Sequence, residues 1–351
     1  MMSISLSLAA QTAYAQLFES LQVTEVARGI ADAPGSFNRK VVSGKIYWYY
    51  QQRTLAGAMV QNYLGADSDL LSALIAAKQQ ARASVIVRTQ AMAAARLGLM
   101  TITGAHLRVI NRLADEGFFR AGGLLVGTHA FLAAGNMLGV RWKTSERTQD
   151  LDPDLPFSQA KDLVHAGSKM SVALPSNAKL ELGDVIDSLK MGFVPAASLD
   201  GLRGGRFINP ADPGFVLDFL TPTNRTNKSL IHVKAFNAEF QALPYLEFSL
   251  EDVQQAAVLS NTNACLVNTP DPARFAVHKL IVSVLRSSSQ RTKALKDIAQ
   301  AGAIYQLLQT EQPGRLEQVE RDANARGPKW RRYLAEGKRQ LENYLDTQPI
   351  V

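Results

Sequence analysis

The chain has 351 residues, of which 46% are hydrophobic and 20% are charged. That composition excludes a generally disordered protein and is sufficient for a substantial core in about two or three domains. Its 38 Lys and Arg residues outnumber its 31 Asp and Glu residues, and the resulting charge of +7 favours polyanionic partners without identifying one. The single cysteine, Cys265, excludes an intramolecular disulfide, so nothing indicates an oxidising compartment.

Residues 1–104 predict an accessory module of helices and a β-hairpin. The segment AAQTAYAQLFESLQ can form an amphipathic helix, and residues 35–65 predict a hairpin or three-stranded meander, because their β-branched and aromatic residues are separated by Ser-Gly and Ala-Gly. The segment that follows, up to Leu97, predicts helix with Asp67 or Ser68 as its N-cap. The N-terminus lacks the basic start of a secretory signal, so we expect a cytoplasmic protein.

Residues 105–265 mix short apolar strands with glycine-rich turns and predict an α/β core. The uncharged run from Ala121 to Val140 has the length of a membrane span, but its five glycines favour a buried strand followed by a helix, and we expect no membrane contact. The strand GGLLV is expected to end at Gly127-Thr128, where the helix begins. Such a turn presents backbone N–H groups and a hydroxyl to a phosphate, although an ordinary strand-to-helix turn has the same pattern.

Residues 266–351 predict a C-terminal helical region. From Asp271 onward, apolar residues recur with a period near 3.6 and basic residues lie between them. The charged tail predicts a pair of helices interrupted at Gly327-Pro328. The chain is therefore expected to contain three domains, at 1–104, 105–265 and 266–351.

An acidic stretch, TQDLDPDL, occupies residues 148–155. On an extended strand, Asp150 and Asp152 project from the same face with Cα atoms about 6 to 7 Å apart. Neighbouring carboxylates repel unless a cation lies between them, so the stretch predicts either a solvated acidic loop or a site for divalent metal. Asp154 follows Pro153, which cannot donate to a sheet, and is expected to be solvated.

A third acidic residue, Asp218, lies inside the apolar run PGFVLDFLTP, which predicts a buried strand. A buried carboxylate without a partner is costly, so Asp218 requires a metal, a basic side chain or local hydrogen bonds. If its strand lies beside that of Asp150 and Asp152, three carboxylates meet at a strand end and form a two-metal site.

In order and character, VGTHA, TQDLD and FVLDFL resemble the nucleotidyltransferase superfold related to DNA polymerase β. That superfold has a Gly-Ser-like turn, an Asp-h-Asp pair and a third carboxylate on a later strand. The segments KIYWYYQQR, DPARFAVHKLIVSVLR and KALKDIAQA resemble a bacterial branch of nucleotidyltransferase-fold proteins, and the resemblance covers most of the chain. That branch is itself distantly similar to the nucleotidyltransferase toxins of abortive-infection systems. The chain departs in its Gly127-Thr128 turn, where Gly-Ser is more frequent, and in the longer separation between this turn and Asp150.

The resemblance implies an α/β (α+β) nucleotidyltransferase core with a mixed sheet, flanked by the N-terminal module and the C-terminal helices. It implies transfer of a nucleoside monophosphate from an NTP to a hydroxyl of RNA, protein or a small molecule, with release of pyrophosphate. Two Mg²⁺ ions, or Mn²⁺, would be bound by Asp150, Asp152 and Asp218, and Asp218 would help to remove the acceptor's proton.

The same resemblance implies positions for the triphosphate. Gly127 and Thr128 would hold the β- and γ-phosphates at the helix N-terminus. Lys279 and Lys296 are candidate nucleotide-binding residues, although exposed basic residues on helices are usually solvated. The segment 201–207 predicts a plain flexible turn or, alternatively, a phosphate-contacting loop with Arg203 and Arg206. Arg286, Arg291 and Lys293 lie near the two lysines in the sequence.

Two other functions use the same features. A nucleic-acid-binding regulator built on an inactive transferase fold would contact its partner through the basic and aromatic segment RKVVSGKIYWYYQQR. A metal-dependent nuclease would use the three aspartates but would leave the Gly-Thr turn unexplained. The three intact carboxylates favour the transferase over the regulator.

Overall fold

The protein is a mixed α/β chain, and its computed structural model describes residues 2–26, 36–53, 59–80, 82–143, 161–165, 182–197, 203–223, 230–234 and 238–347. The strands are β1 (Ser3–Ser5), β2 (Ser36–Val42), β3 (Lys45–Arg53), β4 (Met59–Ala66), β5 (Gly123–Leu125), β6 (Val140–Trp142), β7 (Lys161–His165), β8 (Val194–Ala197), β9 (Arg203–Asn209), β10 (Asp212–Pro222), β11 (Leu230–Val233), β12 (Ala238–Leu243), β13 (Val253–Leu259) and β14 (Ala264–Pro270). The helices are α1 (Leu8–Val26), α2 (Asp69–Gln80), α3 (Arg82–Arg96), α4 (Gly104–Asp115), α5 (Gly127–Met137), α6 (Leu182–Ser188), α7 (Leu246–Ser249), α8 (Pro272–Leu285), α9 (Arg291–Glu311), α10 (Pro313–Ala325) and α11 (Pro328–Asp346).

A mixed sheet forms the centre, with strand order β11-β12-β10-β7-β5, and β9 and β8 branch from β10. Strand β10 is parallel to β7 and to β12, whereas β5 is antiparallel to β7. On β10, Leu217 and Phe219 are fully buried in a core that also contains residues of α4 and α6. The prediction of a buried strand around Asp218 is therefore confirmed.

The run from Ala121 to Val140 folds as predicted from its glycines and apolar residues. Strand β5 ends at Leu125, and α5 begins at Gly127, whose φ of +67° is a left-handed conformation that favours glycine. After α5, Gly139 has φ of +68° and ends the helical run. Within the described ranges, no helix is long and apolar enough to cross a membrane.

The predicted meander is a three-stranded antiparallel sheet of β2, β3 and β4. Ser68 is the cap of the following helix, because its hydroxyl accepts a hydrogen bond from the backbone N–H of Leu71. The carboxylate of Asp67 instead accepts a hydrogen bond from the indole N–H of Trp48 at 2.8 Å. Helices α1 and α3 pack against β13 and β14 in a second core.

The C-terminal helices share a third core with α5, which includes Phe131, Ile281 and Ile304. Asp271 caps α8 by accepting a hydrogen bond from the backbone N–H of Arg274 at 3.0 Å. The predicted interruption in the tail lies between α10 and α11. The division of the chain into three domains remains a prediction.

Close packing between α8 and α11 provides a test of this core. An added Cβ at Gly337 would lie 2.5 Å from the carbonyl oxygen of Leu280, which the backbone of α8 holds in place. We expect Gly337→Ala to lower the free energy of unfolding by about 1 to 3 kcal/mol through overpacking. Urea denaturation should show this loss, whereas Gly314→Ala, whose added Cβ meets nothing within 4 Å, should not; equal stabilities would contradict the packing described.

Candidate active site

Asp218 lies on the central strand β10 between two fully buried residues, and its own side chain is 15% exposed. The antiparallel partner β9 places Arg206 directly opposite. The Nε atom of Arg206 lies 3.6 Å from Asp218 Oδ1, which is longer than a good hydrogen bond, and the Arg206 side chain is 51% exposed. Asp218 Oδ1 is buried and accepts no hydrogen bond from the described part of the chain. Among the described residues, Asp218 Oδ1 is therefore left with only the long contact to Arg206.

Burial raises the pKa of Asp218 above its ordinary value, and the positive charges of Arg206 and Lys293 oppose that increase. Burial dominates because it removes water from the carboxylate, while the two cations compensate only in part. A carboxylate with this balance gains from an additional cation.

Strand register places Asp218 at the same end of the sheet as the Gly127-Thr128 turn. Leu163 of β7 is paired with Leu125 on one side and with Phe219 on the other. On β10, Asp218 comes one residue before the paired Phe219. On β5, the chain continues from Leu125 towards the turn. Because β5 and β10 run in opposite directions, both steps lead towards the same end of the sheet. The distance across two strand spacings is about 10 Å. The turn and the carboxylate thus lie at the same end of the sheet, two strands apart.

The two other predicted carboxylates, Asp150 and Asp152, lie outside the described residues. The strand that occupies the place between β5 and β10 is β7, and its Asp162 is paired in register with Asp218. Sequence reasoning did not select Asp162, because one Asp in KDLVH carries no spacing signal. In the ranges that the structure describes, no group of three or more His, Cys, Asp or Glu residues is arranged to hold a metal.

The two cations near Asp218, Arg206 and Lys293, were named from the sequence as a possible phosphate contact and as a neighbour of the candidate lysines, but not as partners of Asp218. Residues 201–207 were predicted to form a turn, and this was wrong from residue 203 onward, where β9 begins. Gly205 permits this strand, since it has φ of +69° and an added Cβ would lie 2.9 Å from the backbone N of Gln241. Lys293, the second cation, is an exposed residue in the first turn of α9. Because side chains alternate between the two faces of a strand, the apolar Phe207 could have indicated that Arg206 lies on the face of Asp218. No sequence pattern indicates the position of Lys293.

The two lysines predicted to bind nucleotide lie on α8 and α9. Lys279 is 14% exposed, and its Nζ lies 2.5 Å from Oδ1 of the buried Asp297. Arg286 donates to Oδ2 of the same carboxylate at 3.1 Å. Burial disfavours ionised Asp297, but the charges and hydrogen bonds of these two cations outweigh it and hold its pKa below the ordinary value. Lys296 is half-buried, and the nucleotide role of both lysines remains a prediction.

A strand–turn–helix element and a largely buried carboxylate at the same end of a mixed sheet are the arrangement expected of a nucleotidyltransferase core. Residues 105–325 match a family model described as nucleotidyltransferase, and the match covers more than half of the chain. The protein belongs to that nucleotidyltransferase family. No curated protein and no solved structure gives a significant match.

Proposed function

We propose that the protein transfers a nucleoside monophosphate from an NTP to a hydroxyl group and releases pyrophosphate. The observation that carries the proposal is the placement of Asp218 at the same sheet end as the Gly127-Thr128 helix N-terminus. Membership of a nucleotidyltransferase family supports it independently. The NTP is the proposed substrate, and the acceptor is RNA, protein or a small molecule.

The environment of Asp218 fits a divalent cation. Its buried Oδ1 accepts no hydrogen bond among the described residues, and oxygen ligands of this kind suit Mg²⁺ and Mn²⁺. Asp150 and Asp152 are proposed to complete the ligand set with Asp218. When bound, two such ions activate the acceptor hydroxyl and neutralise the triphosphate.

The residues of the chain have separate proposed roles around that centre. The first backbone N–H groups of α5 have no capping side chain at Val126, so Gly127 and Thr128 can donate to the β- and γ-phosphates. Arg206 and Lys293 add positive charge beside Asp218, where they would stabilise the negative charge of the transferred phosphoryl group. Asp218, with its raised pKa, can accept the acceptor's proton.

Lys279 and Lys296 are proposed to contribute to the same triphosphate. Lys279 would have to exchange Asp297 for a phosphate, and Arg286 would then keep Asp297 paired. Lys293 requires no such exchange, because it is exposed. Nucleotide affinity should therefore depend more on Lys293 than on the exposed Lys329 of α11.

Purified protein incubated with each α-³²P-labelled NTP, Mg²⁺ and total cellular RNA or lysate tests the proposal. We expect label on a macromolecule or small acceptor, dependent on divalent metal, together with pyrophosphate release. Label from γ-³²P-NTP should not appear on the acceptor, because that phosphate leaves. Degradation of the RNA without label incorporation would instead indicate a nuclease. The absence of both label incorporation and RNA degradation with every NTP would contradict the proposal.

A further inference from the structure

The sheet of β2, β3 and β4 has two chemically different faces. Its register pairs Lys40 with Tyr47 and Asn38 with Tyr49, and it pairs Tyr49 in turn with Tyr63. Cross-strand partners lie on one face of a sheet. One face therefore carries tyrosines, a lysine and amide side chains together.

The opposite face is covered in part. Tyr50 is 3% exposed and meets Phe37 edge-on at 5.3 Å between ring centroids. At β4, Leu71 of α2 lies 3.9 Å from the position of a Cβ added to Gly65. Nearer the β2–β3 turn this face is open, since Val41 is 58% exposed. A partner that stacks on tyrosine rings would use the other face, which carries them.

On this tyrosine face, three rings form a contiguous cluster. Tyr63 is 58% exposed, and its ring centroid lies 5.3 Å from that of Tyr49 and 6.2 Å from that of Tyr47. Lys40 Nζ lies 4.5 Å from the Tyr49 ring centroid and 2.9 Å from the side-chain oxygen of Gln61. The contacts of Lys40 with Tyr49 and Gln61 support the cluster and leave the Tyr63 ring exposed.

The charge of this segment is one-sided. Residues 33–66 contain four basic residues and no acidic residue. Three of the four, Arg39, Lys40 and Lys45, are exposed residues of β2 and β3. The strand register places Lys40 and Lys45 on the tyrosine face and Arg39 on the opposite face. An apolar protein partner would not match lysine and amide groups at this density, whereas a phosphate backbone matches the charge and unpaired bases match the tyrosine rings.

We propose that the tyrosine face of the β2–β4 sheet binds single-stranded nucleic acid, with bases stacked on Tyr63 and phosphates bound by Lys40 and its basic neighbours. Aromatic rings on an open sheet can stack unpaired bases, which a duplex keeps in its own stack. The proposed binding does not depend on nucleotidyl transfer. If transfer to RNA occurs, this face would hold the acceptor strand.

Fluorescence anisotropy of the protein tests the proposal with a labelled RNA strand of about 12 nucleotides, a length within the range of about 4 to 16 nucleotides that one OB fold binds. We expect Tyr63→Ala to weaken binding about 5- to 100-fold, the loss typical of one stacked base. Tyr63→Phe should retain most of the affinity, because the ring remains. Lys40→Ala should weaken binding and reduce the slope of log affinity against log salt by about 0.7.

Matched measurements separate this proposal from its competitors. Lys329→Ala, at an exposed position of α11, should leave affinity unchanged, and thermal melts should show that Tyr63→Ala and Lys40→Ala are folded. Single-stranded DNA of the same sequence shows whether the 2′-hydroxyl contributes. Wild-type affinity in both Tyr63→Ala and Lys40→Ala, or tighter binding of duplex than of single strands, would overturn the proposal. Asp218→Asn should bind as the wild type does, so loss of transfer with intact binding counts against the proposed function alone.

Discussion

Asp218→Asn is expected to lower the rate of nucleotidyl transfer about 100-fold or more, while the metal-free protein remains as stable as the wild type or becomes more stable. The rate falls because Asn binds the proposed metal ions less well than Asp. Stabilisation of the transition state by metal ions is worth several kcal/mol, and each 1.36 kcal/mol corresponds to about a tenfold change in rate. Stability does not fall because Asn keeps the shape of Asp218 but removes a buried charge. The only described ion pair of Asp218 is the long contact to the half-exposed Arg206, which solvent screens.

The pH dependence of this difference has a defined sign. Because burial raises the pKa of Asp218 in the folded protein, its ionisation costs folding free energy. The wild type therefore loses stability relative to Asp218→Asn as pH rises from the ordinary value of about 3.9 through the raised pKa. Above that window the difference is constant.

Thermal melts in EDTA and in Mg²⁺ with NTP measure both effects. Ligand binding stabilises the wild type by mass action, and the variant should gain much less. Asp212→Asn is a matched control on the same strand, because Asp212 is exposed. A large loss of stability for Asp218→Asn in EDTA would show that Asp218 is a structural ion-pair partner and would remove it from the catalytic site.

Local patterns predicted the parts of this site that depend on neighbours in sequence. The apolar run around Asp218 predicted β10, and the glycines of residues 121–140 predicted the turn between β5 and α5. Both signals are strong because burial and left-handed backbone conformations restrict the residues at each position.

The charges that surround Asp218 could not be predicted in the same way. Arg206 faces it only because β9 and β10 pair with a register shift between residues 212 and 216. Lys293 approaches it through the packing of α9, 75 residues further along the chain. The sequence also could not reveal that Asp297 is the partner of Lys279, since a largely buried lysine can serve either an ion pair or a ligand site.

Asp297→Asn is expected to cost about 3 kcal/mol of stability. The substitution leaves Lys279 and Arg286, which are 14% and 24% exposed, without their shared carboxylate. Removing one partner of a buried ion pair typically costs about 3 to 5 kcal/mol, and the partial exposure of Arg286 places the expected loss at the lower end. Urea denaturation at neutral pH should show a lower midpoint with an unchanged slope.

The pH dependence of this loss is opposite to that at Asp218. The pKa of Asp297 is lowered in the folded protein, so its contribution is present above about 3.9 and disappears as pH falls through the lowered value. The neighbouring His278 has a pKa lowered to about 3, mainly by burial, while the charge of Asp297 acts to raise it, so the substitution lowers the His278 pKa further. The difference between wild type and Asp297→Asn should shrink at acid pH as Asp297 itself takes up a proton. A difference that stays constant down to acid pH would contradict the ion pair.

A second substitution separates the structural role of Lys279 from its proposed nucleotide role. Lys279→Met should recover part of the stability lost in Asp297→Asn, because it removes one of the two uncompensated cations and keeps an apolar stem. In the wild-type background, Lys279→Met should still weaken NTP binding in a titration of folded protein, whereas Lys329→Met on exposed α11 should not. If Lys279→Met and Lys329→Met bind NTP equally well while stability changes as expected, Lys279 is a structural partner of Asp297, and Lys293 becomes the main candidate among the lysines for the triphosphate.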